Sequence, residues 1–479
     1  MFSSHEKGTI LTYINFQNES LIEFCIMTFD HEFLTTKYNT AGPRYTSYPA
    51  VPHWKHTPTS EEWKQFVLHA FEKDGKQNGI SLYIHLPYCE SLCTYCGCNT
   101  RITVNHQVEK PYIDLLCQEW NQYLALLPEK PMISEIHLGG GTPTFFQPEN
   151  LAQLIQHILN TSSLNLQYEF SFEGHPNNTT HDHLKTLFDL GFKRVSFGVQ
   201  DMDPIVQETI HRIQPKEHVS QVMRWAREIG YTSVNLDLIY GLPKQTLESI
   251  KQTFACVMDW QPDRIAFYSY AHVPWIKRGM RTFTDANLPS AIKKKELYTW
   301  GRNCLEQNGY HEIGMDHFAL PTDPLFAHFK NKSMNRNFMG YTTTQSQLLI
   351  GLGVSAIGDA FSAFVQNHKT VEEYSAAIAS GQFAHFKGHR LTEEEKNIRW
   401  HIRQLMCHFE TRWKPEEAIA SSIFRNLSKL KEMENDGLLL LHERQLLVTD
   451  LGKGFVRNIC MAIDPFIQPE TDSVFSQTV

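Results

Sequence analysis

The chain has 479 residues, of which 41% are hydrophobic and 20% are charged, and its formal net charge is −8. This length predicts two or three domains, and the composition is typical of a globular protein. The acidic balance gives no electrostatic reason for nucleic acid or an anionic membrane as a partner, and no apolar run reaches the roughly 18 residues of a membrane span. The ten cysteines do not form a spaced framework, which favours reduced thiols and a cytoplasmic location.

The N-terminal part of the chain lacks the strand–helix alternation seen later. Residues 1–32 show no clear period and no signal-peptide pattern, so we treat them as an extension of unknown role, in which Met27 is a candidate start. Residues 33–78 are predicted to form an N-terminal arm. Its part from Phe33 to His53 is rich in turn formers and aromatic residues, and we expect it to be non-repetitive and to pack on the main domain.

Residues 79–275 alternate between predicted strands and helices. The predicted strands are Ile80–Leu86, Ile133–Leu138, Tyr168–Glu173, Arg194–Gln200, Ser233–Tyr240 and Arg264–Ala271. Apolar residues at helical spacing predict helices between them. Such an order predicts an α/β fold with a parallel sheet and right-handed crossovers, which we interpret as a partial (β/α)6 barrel.

One face of these strands is polar. In the third strand, for example, aromatic residues alternate with Glu169, Ser171 and Glu173. Parallel strands covered on both sides are usually apolar on both faces, and an ordinary barrel has a packed interior. The pattern therefore predicts a barrel whose lumen holds a polar ligand. The alternative, an antiparallel sheet with one face in water, is disfavoured by the intervening helices.

A cysteine-rich loop follows the first predicted strand. Cys89, Cys93 and Cys96 have the spacing C-x3-C-x2-C. Three thiolates so close together can bind three irons of a [4Fe–4S] cluster and leave the fourth iron open to a ligand. The alternatives are a zinc site, which more often has two C-x2-C pairs, and a closed cluster with Cys98 as the fourth ligand.

Glycines and polar residues lie at the carboxyl ends of the predicted strands, where barrel enzymes place their chemistry. They are Gly139–Gly141, Glu173, Gln200 and Asp237. Glycines allow a backbone to approach a ligand closely. Because the glycine run would lie beside the cysteine loop, we interpret it as part of a site rather than as a simple turn.

The pattern from Pro274 onward is mostly helical, with loops at Pro321–Asn337. We expect residues 276–370 to complete the barrel and contribute to the substrate site, and residues 371–479 to form a mostly helical C-terminal domain. Residues 427–448 predict a helix and a short hairpin, as in a winged helix. Acidic residues around them disfavour contact with phosphates, so we expect a structural cap over the barrel mouth.

The cysteine loop resembles that of the radical S-adenosylmethionine (SAM) superfamily. Over residues 38–465 the chain resembles the oxygen-independent coproporphyrinogen III oxidase family. The segments that carry this resemblance are Pro43–Pro49, Tyr95–Asn99, Gly139–Thr144, Gly198–Asp201, Asn235–Pro243, Gly314–Phe318 and Gly340–Thr343. The three cysteines identify only the superfamily, whereas the ordered set is far more specific.

The resemblance implies a [4Fe–4S] cluster on Cys89, Cys93 and Cys96 and two molecules of SAM. The cluster-bound SAM would contact Tyr83, Gly140, Glu173 and Ile357. The second SAM would contact Tyr95, Gly141, Thr142, Gln200, Arg212, Asp237 and Ala271. No catalytic side chain follows from the resemblance, because the protein's role is to bind and orient cofactors that carry the chemistry. Without the resemblance, we would interpret Arg212 as a member of a surface ion pair and Ile357 as a core-packing residue.

The resemblance also implies an oxidoreductase of haem biosynthesis. Coproporphyrinogen III would become protoporphyrinogen IX when a 5′-deoxyadenosyl radical oxidises two propionates, each losing a hydrogen atom and CO2. The substrate's carboxylates need cationic partners, and the candidates are Arg44, Arg101 and Arg336. We further expect a monomer that uses an unidentified reducing electron donor and an unidentified terminal electron acceptor.

Two positions depart from the family pattern. The family commonly has Val-Asp-Pro where this chain has Gly174–Pro176, and Gln where it has Met339. Met339 removes a hydrogen-bonding side chain near the expected ligands and favours a radical SAM enzyme acting on another tetrapyrrole. A haem chaperone is the second alternative function. Two features favour the oxidase. The chaperones usually have an aromatic residue at the position of Cys98, and they lack the Pro43–Pro49 segment.

Overall fold

The computed structural model describes residues 31–467 and 475–478. The predicted extension therefore lies outside the described residues, except for its last two positions. The central element is a twelve-stranded sheet. Its six middle strands are β1 (Ile80–Leu86), β2 (Met132–Gly140), β3 (Ser163–Gly174), β4 (Arg194–Gln200), β5 (Ser233–Tyr240) and β6 (Arg264–Ser269).

These six strands pair in parallel in chain order. The helices that connect them are Glu109–Leu126, Pro148–Asn160, His181–Asp189, Pro204–Thr209, Lys216–Ile229 and Leu247–Trp260. Strand, helix and parallel strand thus repeat along this part of the chain, and the predicted (β/α)6 arrangement is confirmed.

Local signals place the ends of the connecting helices. The hydroxyl of Thr180 accepts from the His183 amide at 3.2 Å, and that of Thr246 accepts from the Ser249 amide at 3.1 Å. Such caps satisfy amides that have no partner within the helix. The Lys216–Ile229 helix ends at Gly230, whose φ of 108° is one that glycine adopts without strain.

The sheet extends beyond both sides of the six parallel strands. The added strands are β7 (His311–Gly314), β8 (His317–Ala319), β11 (Leu349–Leu352), β12 (Ile357–Asp359), β13 (Ala363–Asn367) and β14 (His385–Arg390), while β9 (Asn335–Asn337) and β10 (Gly340–Thr342) form a separate hairpin. Strand β11 pairs in parallel with β1, and β8 pairs antiparallel with β6. The remaining helices of this region are Ala291–Gln307, Pro324–Lys330 and Val371–Ala379.

The prediction of a mostly helical pattern from Pro274 onward was therefore wrong for much of residues 311–390. The strands there are only three to six residues long. Such short segments show too few alternations for a period of two to stand out. The predicted loop at Pro321–Asn337 also contains a helix and strand β9.

The inward face of the sheet is polar, as predicted. Asn235 donates to the Ser196 hydroxyl at 2.7 Å, and that hydroxyl donates to Asp237 at 3.1 Å. The imidazole of His137 lies 2.8 Å from the hydroxyl of Ser171. Neighbouring strands are thus joined across the lumen wall by side-chain hydrogen bonds, which satisfy polar groups that burial would otherwise penalise.

The β9–β10 hairpin fills the amino-terminal end of this lumen. The hydroxyls of Thr342 and Thr343 donate to Glu135 at 2.7 Å and to Glu169 at 3.1 Å. Phe338, at the tip of the hairpin, packs edge-on against Tyr83 with ring centroids 4.7 Å apart. The hairpin therefore closes one end of the lumen and leaves the other end, at the carboxyl ends of the strands, for ligands.

A buried ion pair joins β6 to the segment after β8. Asp323 accepts from the Arg264 Nε at 2.7 Å, the Ser233 hydroxyl at 2.7 Å and the Leu325 amide at 2.8 Å. The Arg264 and Asp323 side chains are 5% and 0% exposed. The carboxylate thus satisfies a buried guanidinium and also caps the Pro324–Lys330 helix.

We expect Asp323→Ala to destabilise the fold by about 3–5 kcal/mol, because it leaves a buried charge uncompensated. The shift of the urea unfolding midpoint at constant slope measures this effect. Asp450→Ala is the matched control, because its pair with Lys453 leaves Asp450 74% exposed, and it should change stability by less than about 1 kcal/mol. Equal midpoints for the two variants would refute the expectation.

The N-terminal arm differs from its prediction in two ways. The helix His31–Tyr38 overlaps the part from Phe33 to His53, which is therefore not wholly non-repetitive; the helix Ser60–Ala70 lies outside that part. Moreover, Leu34 and Tyr38 belong to a hydrophobic core shared with the C-terminal region, whereas Trp63 belongs to the core of the barrel. The arm thus packs on both parts of the molecule rather than on the barrel alone.

The C-terminal region forms a compact unit of helices with a small sheet. Its helices are Glu393–His408, Ala418–Arg425, Leu427–Asn435 and Val456–Ile463, and its strands are β15 (Glu410–Arg412), β16 (Leu439–His442) and β17 (Gln445–Val448). Strand β17 pairs antiparallel with β15 and β16, so the predicted hairpin is present. Lys453 and Arg457 share a small cavity with Tyr240 and Ser269, which places this region beside the carboxyl ends of β5 and β6.

Within the part of the chain that the structure describes, no helix has both the length and the apolar character needed to cross a bilayer.

Candidate active site

A cleft of about 1090 Å³ lies at the carboxyl ends of the barrel strands. It brings together most of the residues predicted from the sequence: Cys89, Cys93, Tyr95, Cys96, Gly140, Gly141, Thr142, Glu173, Gln200, Arg212 and Asp237. These residues come from the carboxyl-terminal parts of five different strands and the loops after them, so their common position follows from the parallel barrel rather than from nearness in the chain.

The cysteine loop forms one wall of this cleft. The Thr94 amide donates to the Ile210 carbonyl at 3.0 Å, which ties the loop to the segment after β4. Cys89 Sγ lies 3.2 Å from the Thr142 hydroxyl, and Cys93 Sγ accepts from Arg212 Nη1 at 3.6 Å. The loop is therefore held between the glycine run and the arginine.

The loop thiols have different electrostatic surroundings. Burial raises the pKa of Cys89 to about 11. The hydrogen bond from Cys98 lowers the pKa of Cys96 to about 6, with further help from Lys277 and Arg212. Across residues 31–467 and 475–478, no three His, Cys, Asp or Glu side chains are gathered as ligands of a single ion. A cubane cluster instead spreads its thiolates over separate irons.

The glycine run allows the loop after β2 to approach the cysteine loop closely. A Cβ on Gly140 would lie 2.7 Å from the His85 ring, and one on Gly141 would lie 2.6 Å from the Pro87 backbone. Gly140 also has a φ of 115°, which disfavours other residues. The Gly141 amide donates to the Leu86 carbonyl at 2.8 Å. The glycines thus fix the cleft wall beside the thiols.

Two polar residues, Gln200 at the end of β4 and Arg212 in the segment after it, line the cleft. Arg212 donates to the Gly198 carbonyl and to Cys93, but its buried Nε has no acceptor among the described residues. Gln200 is 9% exposed and has a φ of 68°, a conformation that costs about 1 kcal/mol or more for a residue with a side chain. A buried donor and a strained polar residue at one cleft favour a polar ligand there.

Two carboxylates complete the cleft. Asp237 accepts from Ser196 and Asn235, and burial together with the charge of Glu173 raises the pKa of Asp237 to about 6. Glu173 accepts from the Gly140 amide at 3.2 Å, and its side chain is 45% exposed. Partly exposed carboxylates of this kind suit an ammonium group or the hydroxyls of a sugar.

Three predicted site residues lie outside the cleft wall. Tyr83 is on the lumen face, where its hydroxyl lies 3.1 Å from His85 Nδ1. Ala271 follows the end of β6, and Ile357 on β12 packs near Trp54. None of the three lines the cleft, and their roles remain predictions.

The cleft also includes residues that were absent from the predicted set of ligand residues, among them His175, Asn178, Ile239 and Tyr268. Tyr268 could have been found, because it alternates with Phe267 and Ser269 on the same strand and so shares the inward face with Arg264.

His175, one of the departures from the family pattern, lines the cleft. Met339, the other, packs with Tyr83 and Leu349 and so places an apolar group on the lumen wall.

Known proteins with related sequences share nearly the whole chain. The radical SAM superfamily model matches residues 83–257. The chain is 37% identical over 451 residues to an oxygen-independent coproporphyrinogen III oxidase from Helicobacter pylori, covering 92% of this chain and 98% of the relative. The chain belongs to the oxygen-independent coproporphyrinogen III oxidase family. The relative of that name from Escherichia coli is 36% identical over 440 residues, which cover 91% of this chain and 95% of the relative.

The fold comparison agrees with the family assignment. The solved structure of coproporphyrinogen III oxidase (HemN) from Escherichia coli, described as a radical SAM enzyme, superposes with a TM-score of 0.84 at 34% identity. It covers 92% of this chain and 100% of that chain. The oxidase fold therefore extends over the arm, barrel and C-terminal region together.

Membership of this family implies a [4Fe–4S] cluster and SAM as cofactors. The donor set of the cleft fits both groups. Three thiols on one loop are suitable cluster ligands. The glycine run brings its backbone close to the cysteine loop, where a side chain would collide with His85 or Pro87. The free Nε of Arg212 and the carboxylates of Glu173 and Asp237 offer partners to the charged and sugar groups of SAM.

Proposed function

We propose that this protein catalyses the oxygen-independent oxidation of coproporphyrinogen III to protoporphyrinogen IX, a step of haem biosynthesis. One observation supports this proposal above all: the three-thiol loop, the glycine run and the lumen carboxylates line one cleft in a chain that matches the named oxidases over 92% of its length.

The residues of the cleft have separate roles in this proposal. Cys89, Cys93 and Cys96 hold the cluster, while Gly140 and Glu173 bind the SAM beside it, as Tyr83 and Ile357 do from the lumen side. When bound, the cluster and SAM supply a 5′-deoxyadenosyl radical that abstracts a hydrogen atom. No side chain has to act as an acid or base. Each oxidised propionate loses one hydrogen atom and one electron, its carboxylate leaves as CO2, and its other two carbons remain on the ring as a vinyl group.

A second SAM molecule is part of the proposal. The residues proposed to hold it are Tyr95, Gly141, Thr142, Gln200, Arg212, Asp237 and Ala271. The unsatisfied Nε of Arg212 and the strained Gln200 support a further ligand in this half of the cleft. Binding one SAM for each propionate would allow two oxidations without exchange of the cofactor.

The proposal includes a monomeric cytoplasmic enzyme with two unidentified redox partners. A donor must reduce the cluster, and a terminal acceptor must take the electron left on each substrate radical. Residues 276–370 are proposed to complete the substrate site and residues 371–479 to cover it. Neither nucleic acid nor a membrane is a partner in this proposal.

The alternative of a haem chaperone is supported less well. Cys98 lines the cleft beside the cluster ligands, at a position where those chaperones usually have an aromatic residue. The Pro43–Pro49 segment, which they lack, is tied into the molecule, since Tyr45 donates to Asp464 at 2.9 Å. Both features favour the oxidase.

Product analysis tests the proposed function. Anaerobic incubation with reduced cluster, SAM and coproporphyrinogen III should yield protoporphyrinogen IX, two CO2 and cleaved SAM, as detected by mass spectrometry. The same mixture exposed to oxygen should lose activity, because the open iron is accessible to it. SAM cleavage without a vinyl-bearing product, together with tight binding or breakdown of haem, would instead support one of the alternatives.

A further inference from the structure

A second cleft lies between the N-terminal arm, the β9–β10 hairpin and the Glu393–His408 helix. We call it the arginine cleft because Arg336, Arg399 and Arg403 line it together with Asp359. Three guanidinium groups thus face one carboxylate in this cleft. The imbalance is unusual for a protein interior, where charged groups are normally paired.

Only one of the three guanidinium groups is neutralised. Arg399 pairs with Asp359 through both nitrogens and also donates to the Phe361 carbonyl at 2.9 Å. Arg403 has no hydrogen bond or ion pair within residues 31–467 and 475–478. Arg336 donates to the Arg44 carbonyl at 3.3 Å, but its buried Nε and Nη1 have no acceptor in the described chain.

Unpaired guanidinium donors in a partly buried cleft are energetically unfavourable. Glu135 lines an adjoining cleft with the same arginines. One of its oxygens accepts from the Thr342 hydroxyl at 2.7 Å and the other has no partner, but among the described residues Glu135 forms no ion pair with Arg336 or Arg403. The planar donors of arginine match a carboxylate in two-point geometry. The arginine cleft is therefore suited to an anionic group brought by a ligand.

The arginine cleft adjoins the barrel lumen. Phe338 lines it and at the same time packs against Tyr83 on the lumen wall, with ring centroids 4.7 Å apart. Aromatic surface at this junction can contact an apolar macrocycle, while the arginines beyond it contact an acid on its rim. A substrate with carboxylates around a large ring fits both features.

We infer that Arg336 and Arg403 bind a propionate carboxylate that the tetrapyrrole substrate keeps. This inference rests on the proposed function and specifies how the substrate is held. The structure also shows which of the three arginines named from the sequence has free donors for a carboxylate. Arg44 is engaged by Asp316 at 3.3 Å and by the Ser269 carbonyl at 2.8 Å, and Arg101 is 60% exposed and pairs with Glu372, which leaves Arg336.

The test uses Arg403→Gln and Arg336→Gln in the full chain with its cluster. Loss of a charge-assisted contact to a carboxylate should raise the KM for coproporphyrinogen III about 10- to 100-fold, while kcat changes far less. Cluster content and unfolding midpoint are measured on the same samples. Arg425→Gln is the matched control, because Arg425 is 57% exposed on another helix, and its KM should equal that of the wild type.

Equilibrium binding separates a carboxylate contact from a general change of the cleft. Coproporphyrin III, the stable oxidised form of the substrate, should bind Arg403→Gln about 10- to 100-fold more weakly than wild type, whereas its tetramethyl ester should bind both equally. Unchanged affinity for the acid, or equal loss for acid and ester, would overturn the inference. Failure of the wild type to form any vinyl product would count against the proposed function alone, because the binding comparison does not depend on turnover.

Discussion

Replacing Cys93 with alanine should leave the protein without its iron–sulfur cluster and reduce turnover to background. The three thiols occupy one loop at the mouth of the barrel, and each is expected to bind a different iron. Losing one exposes a second iron and removes the contact between Arg212 and Cys93, which measures 3.6 Å. Cys89→Ala and Cys96→Ala should behave in the same way.

The matched control for this experiment is Cys98→Ala. Cys98 lies two residues from Cys96 and lines the same cleft, but its backbone carbonyl is held by Lys277 at 2.9 Å, an interaction that alanine keeps. Iron and sulfide analysis with electron paramagnetic resonance of the reduced protein should therefore find a cluster in Cys98→Ala and none in Cys93→Ala. Retention in the latter, or loss in the former, would show that the ligand set is wrong.

Asp237→Ala should fold and keep its cluster but lose turnover about 100-fold or more, because a misplaced cofactor costs catalysis on this scale. Asp237 receives hydrogen bonds only from Ser196 and Asn235 within the described chain, and both lie on the same polar wall. Gln200→Ala should have a similar effect, since its side chain faces the cleft. Anaerobic rates with SAM and substrate, together with cluster content, measure both variants.

The protonation state of Asp237 gives this prediction a second readout. Its pKa is raised to about 6, so the carboxylate that we propose to bind SAM is largely ionised above pH 7 and neutral below pH 5. Wild-type affinity for SAM should fall as the pH decreases through about 6, and Asp237→Asn should lack this dependence. Asp189→Asn, at a 56% exposed position, is the control.

Full activity in Gln200→Ala with misfolding of Asp237→Ala would exclude a ligand role in the lumen.

The barrel was predictable because its strands are long enough to show their period. Strands β1, β4 and β5 begin and end at the predicted residues, and the alternation of Glu169, Ser171 and Glu173 revealed the lumen face. The strands after residue 310 could not be found in this way. They are short, and several gain their stability from pairing with the barrel edge rather than from a local pattern.

The site was predictable to the extent that its residues lie in motifs next to strands. The cysteine loop and glycine run are continuous in sequence, and Asp237 stands at the end of a polar strand face. The arginine cleft could not be deduced in the same way. Arg336 and Arg403 lie on a short hairpin and a distant helix, and only tertiary packing shows that their guanidinium groups lack partners.

The packing of the arm against the C-terminal region has a consequence for synthesis on the ribosome. Lys37 binds Asp436, 399 residues further along the chain, and Leu34 and Tyr38 belong to a core most of whose members lie between Ile398 and Ile463. At 5–20 residues per second, the arm emerges roughly 20 to 80 s before its partners. During that interval the apolar residues of the arm remain uncovered, so nascent chains should recruit ribosome-associated chaperones early. The apolar residues should become covered only when the C-terminal region has left the ribosome.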